Sequence, residues 1–180
     1  MKKLTTMPRK LLLSSLLLGS AFNASAANDT EAMGGFKLAI IEDAIGSDEI
    51  SSGNYRQALS TLASSTSDKL SSYDRSMGEC VAYLKINQYE QSDKACSKAI
   101  KLISRMKNKG EHAQYLASIS YSNRAVSRYF ANQDSAAIDD LTKAIAIHEN
   151  KIVSDNLAHI QTKTLLTKAD DANKPFYESE

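Results

Sequence analysis

The chain has 180 residues and a nearly balanced charge, with 22 Lys and Arg against 21 Asp and Glu. This balance argues against nucleic-acid or anionic-membrane binding, for which a basic face is expected. The length accommodates one domain with a hydrophobic core, whereas two domains would be cramped.

The first 26 residues have the pattern of an export signal. Residues 2–10 carry four basic and no acidic side chains, the apolar stretch LLLSSLLL follows at 11–18, and Ala24-Ser25-Ala26 comes after it. This order is typical of a secretory signal peptide, and the apolar run is far shorter than the roughly 20 residues that cross a bilayer. We therefore expect cleavage between Ala26 and Ala27, rather than a membrane anchor or a core helix.

Removal of residues 1–26 leaves 154 residues with 18 Lys and Arg against 21 Asp and Glu, a formal charge of −3. No cysteine lies near the expected cleavage site, so a lipid anchor has no acceptor there. The short Lys-rich start is of bacterial type. The sequence therefore predicts export to the periplasm, with secretion as the second choice, and no membrane span after signal cleavage.

The rest of the chain has the composition of an all-α protein. Between Asn54 and Lys174 there is no proline, and Gly78 and Gly110 are the only glycines, while apolar residues recur three and four apart. Such a stretch can be helical nearly throughout. We divide the chain into a signal (1–26), a flexible lead-in (27–35), a helical domain (36–168) and a mobile polar tail (169–180).

Two segments repeat one pattern, and a third repeats it more weakly. QSDKACSKAIKLI aligns with SAAIDDLTKAIAI on the KAI triplets at residues 98–100 and 143–145, and GNYRQALSTLASS is the weaker copy. Each of the three helices predicted from these segments is preceded by a turn-like tripeptide: Gly53-Asn54-Tyr55, Asn87-Gln88-Tyr89 and Asn132-Gln133-Asp134. Small or apolar residues recur in register at Ser92, Cys96, Ala99 and Ile103, at Ala137, Leu141, Ala144 and His148, and at Ala58, Leu62 and Ser65.

Over residues 39–150 these copies resemble the tetratricopeptide-repeat (TPR) family, in which pairs of antiparallel helices repeat about every 34 residues. Gly46, Cys80 and Ala125 take the place of the small residue in each first helix. Gly46 and Cys80 are one family period apart, and about 11 residues are inserted before Ala125. The resemblance implies a short right-handed α-solenoid of about three TPR-like hairpins. The alternative is a generic helical bundle with Ala-rich faces.

A final helix is expected at residues 152–168. It would cap the array, with four apolar residues facing its neighbours: Ile152, Leu157, Ile160 and Leu165.

No residue pattern indicates catalysis, a cofactor or a metal. Adjacent carboxylates on a helix point about 100° apart, so Glu42-Asp43 and Asp139-Asp140 are interpreted as solvated faces. The histidines sit on different predicted helices without metal-ligand spacing: His112, His148 and His159. We expect a protein that is not an enzyme.

The TPR resemblance implies a concave binding face lined by the first helices. That face would present Asp43, Ser47 and Ile50 from the first copy, Met77, Val81, Leu84 and Lys85 from the second, and Ser122, Asn123, Val126, Tyr129 and Phe130 from the third. The carboxylate clamp of some family members is not supported, because Met77, Val81, Val153 and Leu157 stand where its other polar residues belong. The final helix or a second subunit could also fill this face.

Two functions follow from this face. The first is a periplasmic adaptor that binds a peptide or helix of another envelope protein. The alternative is a self-associating structural protein whose apolar face is a homodimer interface.

Two cysteines in an exported chain, with none in the signal, allow one intramolecular bridge, Cys80 to Cys96. In the repeat register both residues point into one helical hairpin. Their offset could stretch the Cα separation toward the limit of about 7 Å that a bridge tolerates. The alternative is two buried free thiols.

Overall fold

The computed structural model describes residues 33–65, 72–107 and 110–172. The expected signal, residues 27–32 of the lead-in and residues 173–180 of the tail lie outside these ranges. Seven helices and no strand occur within them: α1 (Ser47–Ser51), α2 (Tyr55–Ser64), α3 (Ser72–Lys85), α4 (Tyr89–Ser104), α5 (Glu111–Phe130), α6 (Asp134–Ile147) and α7 (Lys151–Ala172). The all-α prediction is confirmed.

Each helix packs against the next one along the chain. The odd-numbered helices also contact one another in turn, α1 with α3, α3 with α5, and α5 with α7. They therefore lie side by side. None of the helices in the described ranges is both long and apolar enough to cross a bilayer.

Three helix-to-helix turns share one geometry. Gly53, Asn87 and Asn132 each adopt a left-handed conformation, with φ of 78°, 61° and 59°. The amides of Asn87 and Gln88 bond the carbonyls of Leu84 and Tyr83 at 3.0 and 2.9 Å, and the other two turns repeat this pair of bonds. This is the Schellman ending of a helix, which Gly and Asn favour. All three fall in the tripeptides predicted to be turns.

The small residues of the repeat pattern are the contact points between helices. Ser65 and His148 of the predicted set are the C-terminal caps of α2 and α6. The other members are buried on α2, α4 and α6, and they are Ala58, Leu62, Ser92, Cys96, Ala99, Ile103, Ala137, Leu141 and Ala144. Gly46 has a φ of 88°, and a Cβ there would lie 3.2 Å from the Leu62 side chain. A larger residue would therefore push α2 away at this point.

The sulfur atoms of Cys80 on α3 and Cys96 on α4 are 2.04 Å apart, and the Cα atoms are 5.0 Å apart. This Cα separation is ordinary for a disulfide, so the offset between the two positions does not stretch the bridge. Both residues are fully buried. The predicted disulfide is confirmed.

The two ends of the helical part differ from the prediction. The first helix of the first copy is only five residues long, and Asp43, predicted to lie on it, is in the preceding turn with a φ of 59°. At the other end α7 includes residues 169–172, which were predicted to be tail. Its buried face consists of Val153, Asn156 and Ile160, whereas Leu165 is 68% exposed.

Candidate functional site

Residues 33–41, which we call the strap, are not helical and pack across the odd-numbered helices. Phe36 and Leu38 pack against a buried cluster that contains Leu84 and Val126. Leu38 and Ile40 pack against a second cluster around Ile50 and Val81. We call the surface beneath the strap the groove. It is formed by α1, α3, α5 and α7.

Two buried asparagines hold the main chain of the strap. Asn156 on α7 accepts a hydrogen bond from the Lys37 amide at 2.8 Å and donates one to the Lys37 carbonyl at 2.8 Å. Asn123 on α5 does the same for Ala39, at 3.0 and 2.7 Å. The N–H and C=O of one residue face the same neighbour when the chain is extended. The strap is therefore held as an extended segment.

Both asparagines are fixed in place by burial and by their surroundings. Asn123 and Asn156 are fully buried, and the Asn156 side chain also donates to the Ser122 hydroxyl at 3.0 Å. A side-chain amide offers one acceptor and one donor group to a peptide unit. Because these four bonds use only main-chain atoms of the strap, they do not depend on its side chains.

Phe36 of the strap lies in an aromatic pocket. The Phe36 ring lies 5.0 Å from that of Tyr129, 5.5 Å from that of Phe130 and 4.5 Å from that of His159. Tilted and edge-on ring pairs at these distances are favourable. Gly35 has a φ of 90°, and a Cβ atom on this residue would lie 3.2 Å from the His159 ring. The absence of a side chain therefore allows the backbone to pass close to that ring.

Ala39 is one of the two buried residues of the strap, with Met33. It is 5% exposed and shares a core cluster with Tyr73, Met77 and Ile119. The Tyr73 hydroxyl donates to the Leu116 carbonyl at 2.9 Å, and burial raises the pKa of Tyr73 above its usual range. This hydrogen bond anchors the Tyr73 side chain in the cluster around Ala39, which limits the space available there.

Lys37 lies on the outer side of the strap, where its ammonium pairs with the Asp155 carboxylate. Hydrogen bonds from Lys37 and then from Lys151 hold the pKa of Asp155 below its usual value. This exposed pair orients the strap more than it stabilises the fold.

Most of the predicted binding residues do come together, but beneath the strap rather than on an open face. Those that surround it are Ile50, Met77, Val81, Leu84, Asn123, Val126, Tyr129 and Phe130. Ser122 contacts the strap only indirectly, because its hydroxyl accepts a hydrogen bond from Asn156. Ser47 lines a small cavity together with Ile40 and Ile41. Lys85 instead lies over the Tyr55 ring, and Asp43 is exposed.

Sequence reasoning missed the strap, Asn156 and the Phe36 pocket. The sequence pattern that indicates the strap is short. After Gly34 and Gly35, the apolar residues Phe36, Leu38 and Ile40 alternate with Lys37 and Ala39. Alternation of this kind indicates an extended segment with one buried side. The prediction left open whether the final helix fills the groove. The structure shows that residues 33–41 of the same chain fill it.

The other predicted polar features differ in their environments. Asp139 is exposed, as expected for a solvated face, but Asp140 is 4% exposed and paired with Arg124 and Arg128. Among the described residues no group of three or more His, Cys, Asp or Glu is arranged to hold a metal ion.

Comparison with models of protein families and with curated protein sequences finds no match for this chain. Its function is therefore inferred from the groove and the strap.

Proposed function

We propose that this protein is an exported, TPR-like interaction module whose groove binds an extended segment of another envelope protein. The support for the repeat architecture is the 34-residue spacing of Gly46 and Cys80, the three matching helix endings, and the side-by-side odd-numbered helices. A short right-handed solenoid of about three hairpins, capped by α7, accounts for all three features.

The observation that carries the proposal is the grip of Asn123 and Asn156 on the main chain of residues 39 and 37. Recognition of an extended peptide uses main-chain hydrogen bonds for affinity and pockets at alternate side chains for specificity. The groove supplies both. Asn123 and Asn156 are neutral amides that pair with peptide units, which suits the binding of a peptide main chain.

Export to the periplasm remains part of this proposal. It is supported by the basic and apolar pattern of residues 2–18, by Ala24-Ser25-Ala26, and by a buried disulfide. Disulfides persist in oxidising compartments such as the bacterial periplasm.

The competing function is homodimerisation through the same apolar face, which the strap covers in this structure. Light scattering coupled to size-exclusion chromatography distinguishes the two. We expect a monomer, and a stable dimer would favour self-association.

Site-specific photo-crosslinking in the host cell tests the proposal. A photoreactive phenylalanine at Tyr129, in the groove, should trap a discrete envelope protein, whereas the same probe at exposed Lys101 on α4 should not. Replacement of both asparagines by alanine should abolish the adduct, with circular dichroism as the check on folding. Identical adducts from both probe positions, or none from Tyr129, would contradict the proposal.

A further inference from the structure

We propose that the strap is an intramolecular substitute for the ligand, and that the partner segment has the chemistry of residues 36–40. This rests on the proposed function and specifies its ligand. The partner would present an aromatic residue, a basic residue, an aliphatic residue, a small residue and a second aliphatic residue in succession, and would displace the strap to bind.

Each position of this pattern corresponds to a contact of the strap. The aromatic position is set by the rings of Tyr129, Phe130 and His159 around Phe36. The basic position is set by Asp155, the carboxylate that pairs with Lys37. These two neighbouring positions give the ligand its direction along the groove.

The next three positions are apolar and differ in size. Leu38 and Ile40 are only partly buried against the clusters around Leu84 and Val81, so several aliphatic side chains would be accommodated. Ala39 is 5% exposed between the clustered side chains around Tyr73 and Met77, with both of its main-chain groups bonded to Asn123. A large side chain there would clash or break these bonds.

Displacement of the strap would leave the direct contacts between the helices in place. The strap joins α1 through residues 42–46, a turn with left-handed residues at Asp43 and Gly46. The helices also contact one another directly, and a disulfide links α3 to α4. Of the nine strap residues, Met33 and Ala39 are buried, and the other seven are partly buried or exposed.

Self-occupancy sets a threshold for binding. A segment tethered through a short linker has an effective concentration of roughly millimolar. A partner's apparent affinity equals its intrinsic affinity multiplied by the fraction of molecules in which the groove is open. The strap therefore excludes segments that match the groove weakly. A partner segment displaces the strap only if it makes the same contacts more favourably or is present at a high local concentration.

The test uses the mature chain, residues 27–180, and a synthetic peptide of residues 33–43, MGGFKLAIIED, with affinity measured by titration calorimetry. Leu38→Asp should open the groove and increase peptide affinity by at least about tenfold relative to wild type. Leu165→Asp, an equivalent change at a 68% exposed leucine, should leave the affinity at the wild-type value. Addition of Asn123→Ala to Leu38→Asp should abolish binding.

Peptide variants test the chemistry. Substitution of the peptide's Ala39 by Phe, or of its Lys37 by Glu, should weaken binding to the Leu38→Asp protein at least severalfold, and a peptide of scrambled order should not bind. Equal binding of the scrambled peptide would overturn the inference. Equal affinity of the peptide for wild type and Leu38→Asp would also overturn it, because the strap would then not compete.

Two further measurements keep the outcomes distinct. If Leu38→Asp fails to fold, Lys37→Glu serves instead, because the Lys37 side chain is 48% exposed. The reversed charge at residue 37 would repel the strap from Asp155. A smaller gain in peptide affinity is expected. If a helical variant binds no peptide while the Tyr129 crosslink persists, the ligand chemistry is wrong and the proposed function stands. Loss of both would refute both.

Discussion

The ion-pair cluster around Asp140 links three helices through single side chains. Asp140 on α6 accepts two hydrogen bonds from Arg124, at 2.8 and 2.6 Å, and one from Arg128 at 2.9 Å. Arg128 also contacts Asp93 on α4 at 3.2 Å. Burial acts to lower the pKa of Arg124, but the hydrogen bonds and charge of Asp140 outweigh it and raise that pKa above its usual value.

We predict that Asp140→Asn destabilises the protein by about 3 kcal/mol, because loss of one member leaves two arginines poorly compensated in a buried site. The arginine side chains are 15% and 22% exposed, so the lower end of the range for buried pairs applies. The neighbouring, exposed Asp139→Asn should change stability by less than about 0.5 kcal/mol. Urea unfolding of both variants measures the difference, and equal effects would contradict the structure.

Asp155 gives a prediction about pH. Its folded pKa lies below the usual 3.8 because of hydrogen bonds from Lys37 and Lys151. A carboxyl group with a lowered folded pKa stabilises the fold above its unfolded pKa, and the contribution disappears as pH falls through the folded value. The Lys37 contact should therefore be intact at neutral pH and lost only below about pH 4. NMR titration of Asp155 should show the lowered pKa, and Lys37→Met should move it upward; no movement would exclude the pair.

The individual site residues were only partly predictable. The TPR resemblance implies that Asn123 faces the groove, and the structure places it there. Its partner, Ala39, is 84 residues away in sequence, so nothing local indicates the hydrogen bonds. Asn156 was missed because apolar residues occur on several sides of α7, and the predicted face included Leu157 and Leu165 instead of the buried Val153.

Among the elements, helices and turns follow from the sequence far better than the strap does. Periodicity and helix propensity act within a few residues, which is why α4, α6 and the Asn87 and Asn132 turns match their predicted places. The strap has no helical pattern and only a few alternating residues. Its extended form depends on groups supplied by α5 and α7, which sequence patterns do not reveal.

The hairpin of α3 and α4 carries a prediction about the Cys80–Cys96 bridge, whose ends are 16 residues apart. Closing a loop of this size restricts the unfolded chain by about 3 kcal/mol in the entropy model. The Cys80→Ala/Cys96→Ala double variant should lose about that much stability in urea unfolding. Two freely alkylatable thiols in the unfolded, unreduced wild-type protein would rule out the bridge.

For the whole molecule, we predict removal of residues 1–26 during export. N-terminal sequencing of the exported product should begin at Ala27, or at Asn28 if cleavage shifts by one residue, because Ala24-Ser25-Ala26 fits the signal-peptidase pattern. Cleavage would leave six residues before the strap begins at Met33. Recovery of a cytoplasmic form that retains Met1 would contradict the prediction.

Hydrogen exchange at the Ala39 amide tests most directly whether the groove holds a peptide by its main chain. The amide lies on a buried residue and bonds Asn123 at 3.0 Å, so its exchange should be far slower than in an unstructured chain. Asn123→Ala should accelerate it by roughly tenfold or more, since an unpaired buried group costs about 1–3 kcal/mol. The exposed Asn54→Ala should leave it unchanged. Exchange of the wild-type Ala39 amide at the rate of an unstructured chain would contradict the account.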